Sequence, residues 1–259
     1  MAVLNVTPDS FYDGGLYVNS EKAREKAFEL IGEGADILDI GGASSRPGSE
    51  LVPDEVQWDR IRPVLRAVRR QWPGWISVDT YSAGVARMAL EEGADMINDI
   101  SAGRLDPGMK DLARETQAPC ILMHMKGTPK TMQVTPTYEA LLPEMIVFFE
   151  DSLREWEESG VSRNQLLLDP GFGFGKTVRH NLTLLKNLGE FGKLARPIVL
   201  GTSRKHFIGA VLDRGVEDRL LGTLATLVVG ALNGAQVFRV HDVREAREVL
   251  DMVSAIQRA

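Results

Sequence analysis

Short apolar runs recur along the chain, each followed by a polar cluster and then by an amphipathic stretch. The runs fall at 2–4, 36–40, 75–78, 95–97, 120–123, 166–168, 198–200 and 236–240. Their nearly unbroken apolar character is what a strand covered on both faces needs, as in a parallel sheet. Between them, apolar residues repeat at helical spacing. Ser20 is placed to cap a helix carrying Ala23, Ala27, Leu30 and Ile31. The stretch 54–70 carries Val56, Ile61, Val64, Leu65 and Val68 on one side, and Pro63 is expected to kink or split it. Further helices are predicted over 83–92, 108–115, 138–159, 180–189, 217–233 and 243–257. The joints Glu33-Gly34-Ala35-Asp36, Glu92-Gly93-Ala94-Asp95 and Asn233-Gly234-Ala235-Gln236 each put Gly where a helix ends left-handed and a strand begins.

Eight strands alternating with helices predict an α/β fold, a (β/α)8 TIM barrel in a single domain over 1–259. The step from strand to strand averages about 33 residues, a normal βα unit. A doubly wound open sheet is the competing architecture. With 259 residues the chain can bury a large core without staples. Its one cysteine, Cys120, excludes an intrachain disulfide framework and a cysteine-rich zinc site. A net charge of −6 argues against a dominant nucleic-acid or anionic-membrane surface. No apolar run approaches the roughly 18 residues of a transmembrane helix, and no signal-peptide pattern opens the chain, so a cytoplasmic location is expected.

In such a barrel chemistry gathers at the C-terminal ends of the strands. Here those positions read Asn5, Asp39, Asp79, Asn98 with Asp99, His124, Asp169, Ser203 with Lys205, and Arg239 with His241. Taken singly, each could simply cap a turn. A polar residue at all eight ends points instead to a site. Arg46, Lys205, Arg239 and His241 form a cationic subset suited to an anionic substrate. Asp79, Asn98 and Asp169 form an acceptor-rich subset suited to a heterocycle with several N–H donors, such as an aminopyrimidinone. The competing reading pairs these acids with those bases in an ion-pair network at the mouth. Two loops rich in Gly and Pro, 5–15 and 41–48, have the composition of lids. Gly171-Phe172-Gly173-Phe174-Gly175-Lys176-Thr177 looks like a phosphate-binding P-loop but has Pro170 where the first Gly belongs, so it is not one. His124, His180, His206 and His241 lack zinc-ligand spacing. Met123 and Met125, flanking His124, read as core or pocket wall.

Together these motifs resemble the dihydropteroate synthase family, pterin-binding TIM barrels, nearly from end to end. The resemblance is carried by Asn5-Val6-Thr7-Pro8-Asp9-Ser10-Phe11, Ser45-Arg46-Pro47-Gly48, Ser77-Val78-Asp79-Thr80, Ile97-Asn98-Asp99, Met123-His124-Met125-Lys126-Gly127-Thr128-Pro129, Asp169-Pro170-Gly171-Phe172-Gly173-Phe174-Gly175-Lys176-Thr177, Ser203-Arg204-Lys205 and Arg239-Val240-His241-Asp242. It implies a folate-pathway transferase that joins p-aminobenzoate to (7,8-dihydropterin-6-yl)methyl diphosphate with Mg2+, releasing diphosphate. By motif position, Asp79, Asn98, Met123, Asp169 and Lys205 would hold the pterin. Asn5, Arg239 and His241 would hold the diphosphate, with Asn5 also on Mg2+. Ser45, Arg46, Pro47, Phe174, Ser203 and Lys205 would shape the p-aminobenzoate site. Asp13, Lys205 and Arg46 would take the catalytic roles, with Asp13 and Phe11 on the first loop. A homodimer with small-molecule substrates, and without nucleic acid or membrane, is expected. The family commonly has Glu and Thr where this chain has Ala43 and Ser45. The alternatives are a methyltransferase-type pterin barrel serving a corrinoid protein, and a pterin-binding protein without turnover. Diphosphate release distinguishes the synthase from both.

Overall fold

The computed structural model describes residues 1–7, 16–44, 49–127, 132 and 136–259. Among the described residues eight parallel strands form a ring: β1 Ala2–Asn5, β2 Ile37–Gly41, β3 Trp75–Asp79, β4 Met96–Asp99, β5 Cys120–Met123, β6 Leu166–Asp169, β7 Val199–Leu200 and β8 Val237–Phe238. Strands β1 to β6 pair in chain order, and β7 pairs with β8. Two bridges close the circle, Leu168 to Ile198 and Ala2 to Val240, with the Val3 N–H donating to the Val240 carbonyl at 2.9 Å. This closure selects the barrel over the open sheet, whose outer strands would keep unpaired edges.

The helices are α1 Leu16–Gly32, α2 Asp54–Arg69, α3 Ala83–Glu91, α4 Gly108–Thr116, α5 Leu141–Glu158, α6 Val178–Lys186, α7 His206–Leu212, α8 Leu220–Leu232 and α9 Val243–Arg258. Four expectations change. Helix α1 begins at Leu16, so Ser20 lies inside it rather than capping it. Pro63 does not split α2. It sits on the exposed side of the helix, where a carbonyl left without its N–H partner can turn to water. Val56 is exposed, although Ile61, Val64, Leu65 and Val68 are buried as expected. The helix predicted over 217–233 is α8, and a further helix, α7, stands before it where none was predicted.

The three glycine joints behave as the sequence requires. Gly34, Gly93 and Gly234 have φ of +99°, +102° and +91°. The residue after each donates to a carbonyl five positions back, as in Ala94 N–H to Ala89 O at 2.9 Å. A left-handed residue thus ends the helix and aims the chain at the next strand.

Inside the ring the character of the side chains changes from one end to the other. Ile37, Met96, Ile121, Leu167, Val199 and Val237 fill the lower interior, with Met1 closing it below. Residues two apart on a strand share a face. Two positions beyond Ile37, Met96, Leu167 and Val237 stand Asp39, Asn98, Asp169 and Arg239. The strands are therefore apolar at the bottom of the barrel and polar at its mouth. A larger core packs between the strands and the helices and includes Phe149, Trp156 and Phe191.

Candidate active site

The floor of the mouth is built around Arg239, which enters from just beyond β8. Its Nε donates to Asp39 Oδ2 on β2 and its Nη2 to Asp79 Oδ2 on β3, both at 2.7 Å. Asn98 Nδ2, from β4, also donates to Asp39 Oδ2, at 3.1 Å. The expected cationic and acceptor subsets are therefore interleaved: the ion-pair network is present and occupies the floor itself. Burial pushes the Asp79 carboxyl up to about 7 against the pull of Arg239. Burial opposes the charge on Arg239, yet Asp39 and Asp79 hold that guanidinium above its ordinary range. Two buried oxygens, Asp39 Oδ1 and Ser77 Oγ, have no hydrogen-bond partner among the described residues. They sit side by side in the β2–β3 register, which leaves polar capacity on the floor.

Asp169, at the end of β6, and Lys205, entering α7, stand on either side of Gly201. A Cβ at Gly201 would lie 3.7 Å from Asp169 Oδ2 and 3.8 Å from Lys205 Nζ. Asp169 Oδ1 accepts from the Gly171 N–H at 2.7 Å. Burial raises the Asp169 carboxyl, while Lys205 and the Gly171 N–H pull it back. Burial also lowers Lys205, to about 8, against the attraction of Asp169. The Lys205 ammonium donates to the Phe172 carbonyl and lies 4.8 Å from the centre of the Phe174 ring, a cation–π distance. Phe174 packs against the cluster of Ile100, Met123, Met125 and Met132. Met123 and Phe174, one expected at the pterin and the other at the arylamine, thus share one apolar wall.

Ser203 and His241 meet at the ends of the last two strands. The His241 N–H donates to Ser203 Oγ at 3.1 Å, and Oγ lies 2.9 Å from His241 Nδ1. Burial holds His241 down at about 4, so its ring is neutral at pH 7. The neutral ring can accept the Ser203 hydroxyl at Nδ1, the tautomer that puts the ring proton on Nε2 as a donor. Ser203 therefore orients His241. Arg204 fixes the loops that carry them, with its Nε and Nη2 donating to the two oxygens of Asp242 at 2.9 and 2.6 Å.

Asn5, half-buried at the end of β1, offers a carboxamide oxygen. A Cβ at Gly41 would come within 3.6 Å of Asn5 Oδ1, so the glycine keeps that side of the oxygen open. Among the described residues no three His, Cys, Asp or Glu gather as a metal cage. A single hard oxygen of this kind fits a Mg2+ ion whose remaining ligands are phosphate oxygens and water.

The structure thus brings Asn5, Asp79, Asn98, Met123, Asp169, Phe174, Ser203, Lys205, Arg239 and His241 to the mouth. Phe11, Asp13, Ser45, Arg46 and Pro47 lie outside the described residues. Asp99 turns away from the expected pattern. Its carboxylate accepts from the Ser101 N–H, the Ser101 hydroxyl and the Gly103 N–H, so it shapes its own loop. Sequence reasoning placed Asp39 at a strand end of the site without a specific role, and gave none to Ser77, Lys176, Arg204 or Asp242. Asp39 was visible as a polar residue in an apolar strand, whereas the Arg204–Asp242 pair left only its place inside two motifs. Lys176 turns inward instead of standing free for a phosphate, with its ammonium 2.9 Å from the Gly171 carbonyl.

A sequence profile described as "Pterin binding enzyme" matches residues 1–241. The dihydropteroate synthase of Escherichia coli (strain K12) is 44% identical over 255 residues, covering 98% of this chain and 90% of that one. The Yersinia pestis dihydropteroate synthase, solved with a sulfonamide drug complex, superposes with a TM-score of 0.94 at 41% identity, covering 100% of this chain and 94% of that one. The Xanthomonas albilineans dihydropteroate synthase, solved with 4-aminobenzoic acid, gives a TM-score of 0.94 at 39% identity, covering 100% and 92%. With the barrel, the mouth geometry and these likenesses in agreement, the chain belongs to the dihydropteroate synthase family of pterin binding enzymes.

Proposed function

We propose that the residues gathered at this mouth divide one transfer reaction between them. The chain is a transferase of folate biosynthesis, a dihydropteroate synthase that condenses (7,8-dihydropterin-6-yl)methyl diphosphate with p-aminobenzoate. Asp79, Asn98, Asp169 and Lys205, backed by Met123, hold the pterin. The carboxylates and the amide accept its ring N–H groups, and a buried acceptor is worth most where water is excluded. Asn5, Arg239 and His241 hold the diphosphate, with the Nε2–H of His241 as donor. Ser45, Arg46, Pro47, Phe174, Ser203 and Lys205 shape the p-aminobenzoate site. Asp13, Arg46 and Lys205 act on the reacting groups. The whole chain, 1–259, serves as one barrel domain.

Mg2+ held by Asn5 and the diphosphate would neutralise charge on the leaving group. The bond between the methylene carbon and the diphosphate oxygen breaks with its electron pair going to the diphosphate. The resulting cation is delocalised into the electron-rich dihydropterin, and Asp13 stabilises it electrostatically. The arylamine lone pair then forms the C–N bond, and the nitrogen passes its extra proton to solvent water. Orientation of a weakly basic amine by Arg46 and the Phe174 wall matters more here than a strong base. This order of events is dissociative, and a kinetic isotope effect at the methylene typical of associative displacement would contradict it.

The observation that carries the reading is the joining of Asp79, Asn98, Asp169, Lys205 and Arg239 from five strand ends around one opening. The test is diphosphate release with Mg2+ and the pterin diphosphate, with and without p-aminobenzoate. Release that depends on p-aminobenzoate and disappears in Lys205→Ala is expected. Pterin diphosphate binding without release would leave a binding protein only.

We place the enzyme in the cytoplasm as a homodimer. Among the described residues no helix is long and apolar enough to cross a membrane. Helix α8 supports the dimer, because it buries Thr223, Thr226, Leu227 and Gly230 while exposing Leu221, Val229 and Leu232. An apolar outer face of this kind suits a two-fold contact. Sedimentation at micromolar concentration should give twice the chain mass.

A further inference from the structure

Among the described residues, Lys176 is the one buried cation of the mouth that the reaction leaves without a task. It is 3% exposed. Its Nζ lies 2.9 Å from Gly171 O, 3.1 Å from Phe174 O, 3.4 Å from His124 O and 3.0 Å from His124 Nδ1. An ammonium has three protons and no acceptor, so this cage can satisfy it fully. All four partners are neutral. Burying an ammonium costs far more than burying an apolar chain of the same length. A lysine here is therefore best explained by what it holds in place.

It holds the loop between β6 and α6. Gly171, Gly173 and Gly175 have φ of +67°, +80° and +65°, folding the loop back so that two of its carbonyls reach Lys176. The loop passes so close to the end of β5 that a Cβ at Gly171 would stand 2.0 Å from His124 O, and one at Gly175 2.6 Å from Lys126 O. Asn181 steadies the same loop, accepting from the Gly173 N–H at 2.8 Å. The other side of the loop faces the site: the Phe172 carbonyl accepts from Lys205, and the Phe174 ring lies beside its ammonium.

We infer that Lys176 is a positioning residue for the arylamine half of the site: by drawing in the Gly171 and Phe174 carbonyls from behind, it sets the Phe172 carbonyl and the Phe174 ring against Lys205. The inference rests on the function proposed above. The pterin floor of Asp39, Asp79, Asn98 and Arg239 is built from other elements, and of the pterin residues only Asp169 and Lys205 touch the clasped loop, through the Gly171 N–H and the Phe172 carbonyl.

The test is Lys176→Met, an unbranched apolar chain of similar length, assayed beside the unaltered enzyme. The expected result is a KM for p-aminobenzoate raised roughly tenfold or more, with the Kd of the pterin diphosphate raised by a clearly smaller factor. A purely structural lysine would lower the melting temperature and the active fraction while leaving both constants alone, and that result overturns the inference. Gly175→Ala displaces the loop with the ammonium intact and should give the same split. It keeps the test decisive if Lys176→Met does not fold, and an unchanged KM for p-aminobenzoate would count against the inference. An independent readout is 15N NMR of the lysine ammonium groups. One slowly exchanging Nζ, absent in Gly175→Ala or Lys176→Met, is expected, and exchange as fast as that of exposed lysines overturns the clasp. Loss of the function itself is separable: it would show as no p-aminobenzoate-dependent diphosphate release by the unaltered enzyme, with the NMR signal still present.

Discussion

Arg239 and Lys176 are both cations drawn into the barrel mouth, and the protein surrounds them in opposite ways. Arg239 lies between two carboxylates, with Asp39 and Asp79 each 2.7 Å away. Lys176 lies among three carbonyls and an imidazole nitrogen. The first arrangement is charge-balanced and spans three strands, so it ties the floor of the ring together while staying electrically responsive to a charged ligand. The second gathers backbone, so what it controls is the path of one loop. Burial acts on both sets: it pushes Lys176 well below the ordinary lysine range and holds His124 down at about 2, whereas the carboxylates keep Arg239 charged. Charge in one place serves recognition and in the other serves shape.

The largest effect should come from breaking the charge balance. Arg239→Met leaves Asp39 and Asp79 buried without their cation and should cost about 3–5 kcal/mol of stability, read by urea denaturation. Adding Asp39→Asn should recover part of that loss, and a double variant no more stable than the single one would contradict the balance argument. Next in size, Asp169→Asn removes a charged acceptor while keeping the oxygen that takes the Gly171 N–H. Its pterin affinity should fall roughly 10–100-fold by calorimetry.

The pH dependence is a finer test. Burial lowers Lys205 to about 8, so the ammonium form is lost as pH rises through that value. If this form is needed, kcat/KM for p-aminobenzoate should fall above about pH 8. In Lys205→Arg the descending limb should disappear from the range below about pH 10, since guanidinium stays protonated there. The same sign governs folding. A lysine lowered in the native state opposes folding while protonated, so its unfavourable contribution fades as pH climbs from about 8 toward the ordinary lysine value near 10.4. The smallest effect belongs to the far end of the barrel. Gly34→Ala should cost about 1–2 kcal/mol, because φ is +99° there and L residues are strained in that region. It should leave kcat and both KM values unchanged.

Much of this architecture could be read from the sequence for a physical reason: strands buried on both faces must be apolar, and helices ending on Gly34, Gly93 and Gly234 announce the next strand. Strands β7 and β8, two residues each, still lie within the apolar runs at 198–200 and 236–240. The element left unread was seven-residue α7, which ends on Asp213 in a left-handed conformation that no glycine marks. Asp79, Asn98, Asp169, Lys205 and Arg239 stood out because a polar or charged group at the end of an apolar strand is costly without a use. What the sequence hid was partnership. Nothing in the order of residues says that Arg239 lies on Asp39, two hundred positions away, or that Lys176 turns back onto His124. Such pairings exist only once the ring is closed.

The most direct measurement is calorimetric titration of the pterin diphosphate with Mg2+ into the unaltered protein, Asp169→Asn and Lys176→Met in parallel. The account predicts binding to the first, a large loss in the second and a clearly smaller loss in the third. Equal affinity in the unaltered protein and Asp169→Asn would contradict it, because the polar floor of the barrel would then not be where the pterin is held.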